Sequence, residues 1–503
     1  MRPGGRKFNL CMAFIVLGTL ALFLIDWQTQ TISSVSRLKP LLVLRVPFIG
    51  NEKEDEEDEY EMNGPPEKEE LFIELSEQIT DMKVDGTILT INKKTEEFKP
   101  QLLNIHIVLH SHVDPGWLET FEEYYTGKVK SILDLCVEWL TKTPRLKFIW
   151  SEMSFLERWW RDATDINKTK MKKLISNGQI ELSGGAWVMT DEATPHFSAT
   201  IDNMIEGQRF VWNTFAIRPN TSWSVDPFGH GLMVPSLLSA SGIKKMVIGR
   251  LNDHQKQQFR ETRNMRFHWM QPYTRNNTAT LAAPFVNMLP YLYYTTRNAC
   301  GPEDSICCKY HVGPSANWCS GTIHKVTDIK QHTEVLLNQY RIVQKLYNSD
   351  NLLIPVGDDF YLTKNGDWEE IVNLYFAIAD YIDKTPSLNA KMHFSTVSDF
   401  FQSIKNTEET APTLTGDFFP YTQNEHQSYK WWTGYFTHRP FFKRMGRILE
   451  SRLRAFDILS VLTANSVFTN EAIQARRDVA LFQHHDAITG TSKKHVMEDY
   501  LER

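Results

Sequence analysis

Basic charge, a long apolar run and a cysteine-pair signature are what this sequence has least of, and each shortage removes a class of protein. The formal charge over 503 residues is −6. A general nucleic-acid binder, which needs a basic face for phosphates, is therefore excluded. The N-terminal apolar run, Leu10 to Ile25, is only 16 residues long. That is marginal for about 30 Å of hydrocarbon. Six cysteines are present, but none form the C-x2–4-C pair that structural zinc sites favour. No internal repeat is visible.

The aromatics are plentiful: 14 Trp, 17 Tyr and 29 Phe exclude a wholly disordered chain. The charge is unevenly placed. Residues 1–50 carry +5 and residues 51–70 carry −9, which leaves 71–503 close to neutral at −2. Arg2, Arg6 and Lys7 precede the apolar run, so the positive-inside rule leaves the N-terminus cytosolic. No small-x-small cleavage site follows Ile25, and an uncleaved signal anchor is expected over a cleaved signal peptide. The expected order is a cytoplasmic tail (1–9), an anchor (10–26) and an acidic lumenal stem (27–100). Cys300, Cys307, Cys308 and Cys319 cluster, and in an oxidising lumen they are expected to form two local disulfides, with three pairings open. Asn167, Asn220 and Asn276 head N-x-S/T sequons.

From Leu102 onward short apolar runs alternate with helix-like segments. Strands are expected at Ile105–Leu109, Phe148–Trp150, Ile180–Leu182, Trp223–Val225, Met246–Ile248 and Leu352–Val356. Strand–helix alternation predicts an α/β fold with a parallel sheet, open or closed into a barrel, over residues 101–440. After Phe441 the pattern turns helical, at Lys443–Ala464 and Asn470–His484, giving a helical region over 441–503.

In such folds active sites lie at the carboxyl ends of the strands. Polar clusters follow three of them: His110 to Trp117, Ser224 to His230, and Gly357 to Phe360; a fourth runs from His484 to Thr491. Strand alternation would put His112 and Asp114 on one face. Each cluster alone reads as a turn, a cap or a solvated pair. Together, two His and two Asp suit a divalent metal, with zinc favoured by the imidazoles. A remaining carboxyl, Asp358 or Asp359, would serve as acid/base, and paired carboxylates are the usual equipment of glycoside hydrolysis. Trp117, Phe228 and Trp432 would suit the apolar face of a sugar.

The segments HSHVDPGWLETFEEYY, WVMTDEA, SVDPFGHG, CGPEDSICC, PVGDDF, GDFFPY, WWTGYFTHRPFFKRM and FQHHDAITGTSKKHV occur in order from about Leu102 to the last residue. In number and register they resemble the glycoside hydrolase family 38 α-mannosidases, within them the Golgi α-mannosidase II group. The resemblance implies a barrel-like catalytic domain followed by the start of a helical bundle. It implies one Zn2+ held by His112, Asp114, Asp226 and His485. It also implies Asp226 as nucleophile and Asp359 as general acid/base of a retaining α-mannosidase that removes α1,3- and α1,6-linked mannose from N-linked glycans. Asp486 and Arg250 resemble substrate-site positions, and Trp117, Phe228 and Tyr294 resemble pocket aromatics. The implied disulfides are Cys300–Cys307 and Cys308–Cys319. The implied setting is the Golgi membrane, single-pass type II, with the catalytic part in the lumen and no nucleic-acid partner.

The sequence departs from the family at Thr295, where Asp is usual, at Tyr361, where Arg is usual, and at Ala186, where Gly is usual. Members also continue past the HHDAITGT segment into β-rich domains absent here, so the helical region is expected to be incomplete. Two other classes are compatible with these residues: a truncated, inactive family member that binds glycan or partners, and a zinc-dependent deacetylase on a similar barrel. Release of mannose separates both from the mannosidase.

Overall fold

Runs of three to seven residues form the strands, and segments of 3.6-residue periodicity form the helices. The computed structural model describes residues 101–270, 283–313, 319, 321–323, 327–347, 349–425, 428–463 and 470–503. The expected tail, anchor and stem, and the Asn276 sequon, lie outside the described residues. The strands are β1 Leu103–Leu109, β2 Phe148–Trp150, β3 Ile180–Leu182, β4 Thr221–Ser224, β5 Lys245–Ile248, β6 Arg266–Met270, β7 Phe285–Met288, β8 Asn351–Val356, β9 Ala390–Phe394, β10 Thr413–Thr415, β11 Thr422–Glu425 and β12 Ser428–Trp431. The principal helices are α1 Lys130–Lys142, α2 Met153–Asp162, α3 Asp165–Ser176, α4 Phe197–Phe215, α5 Ile329–Tyr347, α6 Asn365–Asp383, α7 Pro440–Leu462, α8 Asn470–Phe482 and α9 Lys494–Glu502.

The fold is mixed α/β with parallel strands flanked by helices, as expected. β1 is buried along almost its whole length, which is the signature of a central parallel strand covered on both faces. It lies between β8 and β9, parallel to both. A second sheet runs in the order β10-β6-β7-β5-β4, parallel except at β6–β7, and β2 and β3 form a parallel pair. β11 and β12 are an antiparallel hairpin. Among the described residues the strands thus fall into separate ladders, with two antiparallel pairs, β6–β7 and β11–β12.

The first helix after β1 begins at Phe121, where Thr120 and Glu123 cap each other reciprocally. α1 buries Ile132, Leu133, Cys136, Val137 and Leu140, a stripe at helical spacing facing the core. Trp159 and Trp368 are fully buried in that core, each contributing about 2–3 kcal/mol of hydrophobic stabilisation. The bonds Cys300–Cys307 and Cys308–Cys319 close the segment between β7 and α5. α8 packs on α4 and on α7.

The expected placement as a Golgi-membrane type II protein needs correction. Among the described residues no helix is long and apolar enough to cross a membrane. The longest, α7, has 23 residues but carries Lys443, Arg444, Arg447, Glu450, Arg452, Arg454 and Asp457. Each such charge at mid-bilayer costs about 2.5–3.5 kcal/mol, more than the apolar residues between them return.

Candidate active site

The parallel register of β1 and β8 continues past the strand ends and places the His110–Trp117 and Gly357–Phe360 clusters side by side. Leu109 pairs with Val356, the His112 N–H donates to the Asp358 carbonyl at 3.1 Å, and the Phe360 N–H donates to the His112 carbonyl at 2.7 Å. His112 and Asp359 are therefore neighbours across the sheet edge. β4 and β5 repeat the arrangement: Gly249 lies so close to the Val225 carbonyl that no side chain fits there. That approach sets Arg250 beside Asp226, with Arg250 Nε donating to Asp226 Oδ1 at 2.6 Å.

The fourth cluster closes the site from the far end of the chain. α8 ends at Phe482, and the following turn is pinned to the 190–191 segment by a Thr190–His484 bridge and an Asp191 N–H to Gln483 carbonyl bond of 2.9 Å. His485 then points its Nε2 at Asp226 Oδ2, 3.1 Å away, and at Asp114 Oδ1, 3.3 Å away. His112 Nε2 lies 2.9 Å from Asp114 Oδ1 and 3.2 Å from Asp226 Oδ2. All four side chains are buried, and one ligating atom from each falls within 4.8 Å of the others.

These residues fit a divalent cation. Carbonyl oxygens only accept, so His485 must donate Nδ1–H to the Met189 carbonyl at 2.9 Å. Its Nε2 then faces two carboxylates, and the ring must either be a buried cation or ligate one. Burial alone would lower the pKa of His112 and His485, but Asp114 and Asp226 outweigh it and hold both well above the usual range. A set of two imidazoles and two carboxylates this close together suits a divalent metal.

Electrostatics divides the two candidate catalytic carboxyls. Burial would raise Asp226, but Arg250 and then the two histidines hold it well below the usual carboxylate range. Asp359 is pushed up to about 7, chiefly by burial and further by Asp114, Asp226 and Asp358, against the pull of His112. Tyr294 donates its hydroxyl to Asp359 Oδ1 at 2.6 Å, and its ring lies 4.8 Å from that of His112.

Aromatics enclose the Arg250 guanidinium: Tyr293 at 4.6 Å, Trp432 at 5.0 Å, Phe228 at 5.5 Å and Tyr421 at 5.6 Å. Phe228 also meets Trp432 edge-on at 5.0 Å and His485 at 5.9 Å. Asp486 lies 3.5 Å from His484 Nε2, which is 3.5 Å from Asp114 Oδ1. Every site residue named from the sequence is thus joined to this cluster except Trp117, which packs on the main core. Tyr293, Tyr421 and Glu152, whose carboxyl accepts from the N–H of Met189, the residue hydrogen-bonded to His485, were not foreseen. Tyr293 adjoins Tyr294 and Tyr421 closes the GDFFPY segment, but nothing local marks Glu152.

The departures are accommodated locally. Tyr361 is buried, stacks on His311 at 4.9 Å and donates to the Val312 carbonyl. Thr295 donates to Asn298 Oδ1 at 3.0 Å before a short helix. The Ala186 carbonyl accepts from the Met153 N–H at 3.4 Å.

Residues 102–424 match the family model for the glycosyl hydrolases family 38 N-terminal domain, and residues 430–503 match the alpha mannosidase middle domain. The chain is 37% identical to Alpha-mannosidase 2 of Homo sapiens over 440 residues, covering 82% of this chain and 38% of that protein. It is 36% identical to Alpha-mannosidase 2 of Arabidopsis thaliana over 445 residues, covering 82% and 37%. With Alpha-mannosidase 2 of Drosophila melanogaster it shares 33% over 483 residues, covering 92% and 42%. The chain therefore spans about two fifths of the length of these relatives. Its fold is similar to the crystal structure of an alpha-mannosidase from Enterococcus faecalis V583, with a TM-score of 0.58 at 15% identity, covering 80% of this chain and 40% of that one.

Proposed function

Because the chain belongs to glycosyl hydrolase family 38, we propose that it is a zinc-dependent retaining α-mannosidase. Its substrates would be the α1,3- and α1,6-linked mannoses of N-linked glycans. The observation that carries this reading is the contrast between Asp226, held low by Arg250, and Asp359, raised to about 7. Two carboxyls driven apart by their surroundings are the equipment of a nucleophile and a general acid.

In this reading the α/β region over 101–440 carries the chemistry and the helical region over 441–503 contributes His485 and Asp486. His112, Asp114, Asp226 and His485 hold the zinc. When bound, the ion supplies a Lewis acid that orients the sugar's vicinal hydroxyls. Asp226, ionised at neutral pH, attacks the anomeric carbon and forms a covalent glycosyl ester. Asp359 gives its proton to the departing glycosidic oxygen, then takes one from water as the ester is cleaved, so configuration is retained. Tyr294 holds the Asp359 carboxyl in place. Phe228 and Trp432 offer apolar faces to the pyranose, while Asp486 and Arg250 provide polar contacts.

The test is hydrolysis of 4-nitrophenyl α-mannoside by the full chain, zinc-loaded and chelated, with the product anomer followed by NMR. Release of α-mannose that depends on zinc and disappears in Asp226→Ala is expected. Background turnover by folded, zinc-bound chain would reject the enzyme and favour a glycan-binding family member instead.

A further inference from the structure

The peptide unit of Met189 is held from both sides. Its carbonyl accepts the His485 Nδ1–H at 2.9 Å, while its N–H donates to both carboxylate oxygens of Glu152, at 3.1 and 3.0 Å. Glu152 immediately precedes α2 and is only 2% exposed. A buried carboxyl group needs a hydrogen-bonding partner, and the partner here is one peptide of the segment that meets the 483–485 turn. The adjoining peptide is held separately. Val188 donates to Asn203 Oδ1 at 2.9 Å and accepts from Asn203 Nδ2 at 3.1 Å. The segment's course therefore does not depend on Glu152, whose side-chain hydrogen bonds are confined to Met189.

We infer that Glu152 is a positioning residue for the metal site, acting through the Met189 peptide on the tautomer and ring plane of His485. This rests on the metal-holding role proposed above for His485. A ligating imidazole must present its lone pair along a fixed direction, and the group bonded to the other ring nitrogen sets that direction. With Glu152 in place the Met189 carbonyl is fixed and Nδ1 is committed as donor. Nε2 is then left facing Asp114 and Asp226. Without it, the N–H loses its acceptor and the peptide is free to rotate, carrying the carbonyl off the ring.

Glu152→Gln and Glu152→Met test this in the full chain, because both keep the side-chain volume and only the first keeps an acceptor. Zn2+ affinity is measured by competition with a chromogenic chelator, and Co2+ replaces zinc to report ligand geometry from its visible absorption. Glu152→Met is expected to lose about 10–100-fold in affinity, the usual cost of removing an outer partner of a ligating His, with an altered Co2+ spectrum. Glu152→Gln is expected to stay within about threefold of the parent. Should Glu152→Met not fold, Glu152→Asp, one methylene too short to reach Met189, is expected to show the same loss. Parent-like affinity and spectrum in Glu152→Met or Glu152→Asp would overturn the inference alone. A parent chain that binds no zinc would overturn the metal reading itself.

Discussion

Arg250→Met, read in the chelated protein, probes the strongest electrostatic dependence in the site. Arg250 and Asp226 are both buried and joined by a 2.6 Å charged hydrogen bond. Removing one partner of a buried pair costs about 3–5 kcal/mol, because the other charge stays behind uncompensated. Here Asp226 keeps His112 and His485 within 3.2 Å, so the loss should lie at the lower end, about 3 kcal/mol. Met also preserves much of the packing against Tyr293, Trp432, Phe228 and Tyr421. Asp226→Asn should destabilise as well, since it leaves the guanidinium without its carboxylate. The double variant leaves neither charge stranded, so it should be more stable than the two single losses together imply, by about 1.5 kcal/mol or more. Urea unfolding of parent, both single variants and the double variant closes the cycle. Losses that add to within about 0.5 kcal/mol would refute the coupling, and a loss below about 1 kcal/mol for Arg250→Met would show that the pair is not stranded by its removal.

Zinc at 100 times its Kd should stabilise the folded chain by about 2.7 kcal/mol, read as a rise in Tm that EDTA reverses and His485→Ala abolishes; an unchanged Tm would count against the metal site. The acid role of Asp359 requires its proton, and burial raises its pKa to about 7. kcat/KM for an unactivated mannoside should therefore fall about tenfold per pH unit above that value, and a profile flat to pH 9 would remove Asp359 from that role. Gly207→Ala tests packing against propensity. Ala is the better helix former by about 1 kcal/mol, but an added Cβ would strike the backbone of residues 185–187. A lowered Tm is expected, and a raised one would show that the contact gives way.

Much of the fold was legible because buried parallel strands are short apolar runs. β1, β2, β3, β5 and β8 fall where their runs predict them, and the ends of α7 and α8 lie within three residues of expectation. β6 and β7 were missed for a physical reason. Arg266 and Asn287 are buried in them and bond to each other at 2.9 Å, a polar ladder that a search for apolar runs passes over. β9, β10 and the β11–β12 hairpin carry too many polar residues to stand out.

The sequence by itself determined the residue types of the site and their local pairing: period-two geometry puts His112 beside Asp114, and each cluster stands at an element end. Only the tertiary structure decided which carboxyl is held low and which is raised. Asp226 and Asp359 are both aspartates that follow buried strands. Their difference comes from Arg250, 24 residues along the chain from Asp226, and from His485, 259 residues along. Desolvation and Coulomb energy depend on distance in space, and strand register, the close approach at Gly249 and the docking of the 483–485 turn set those distances.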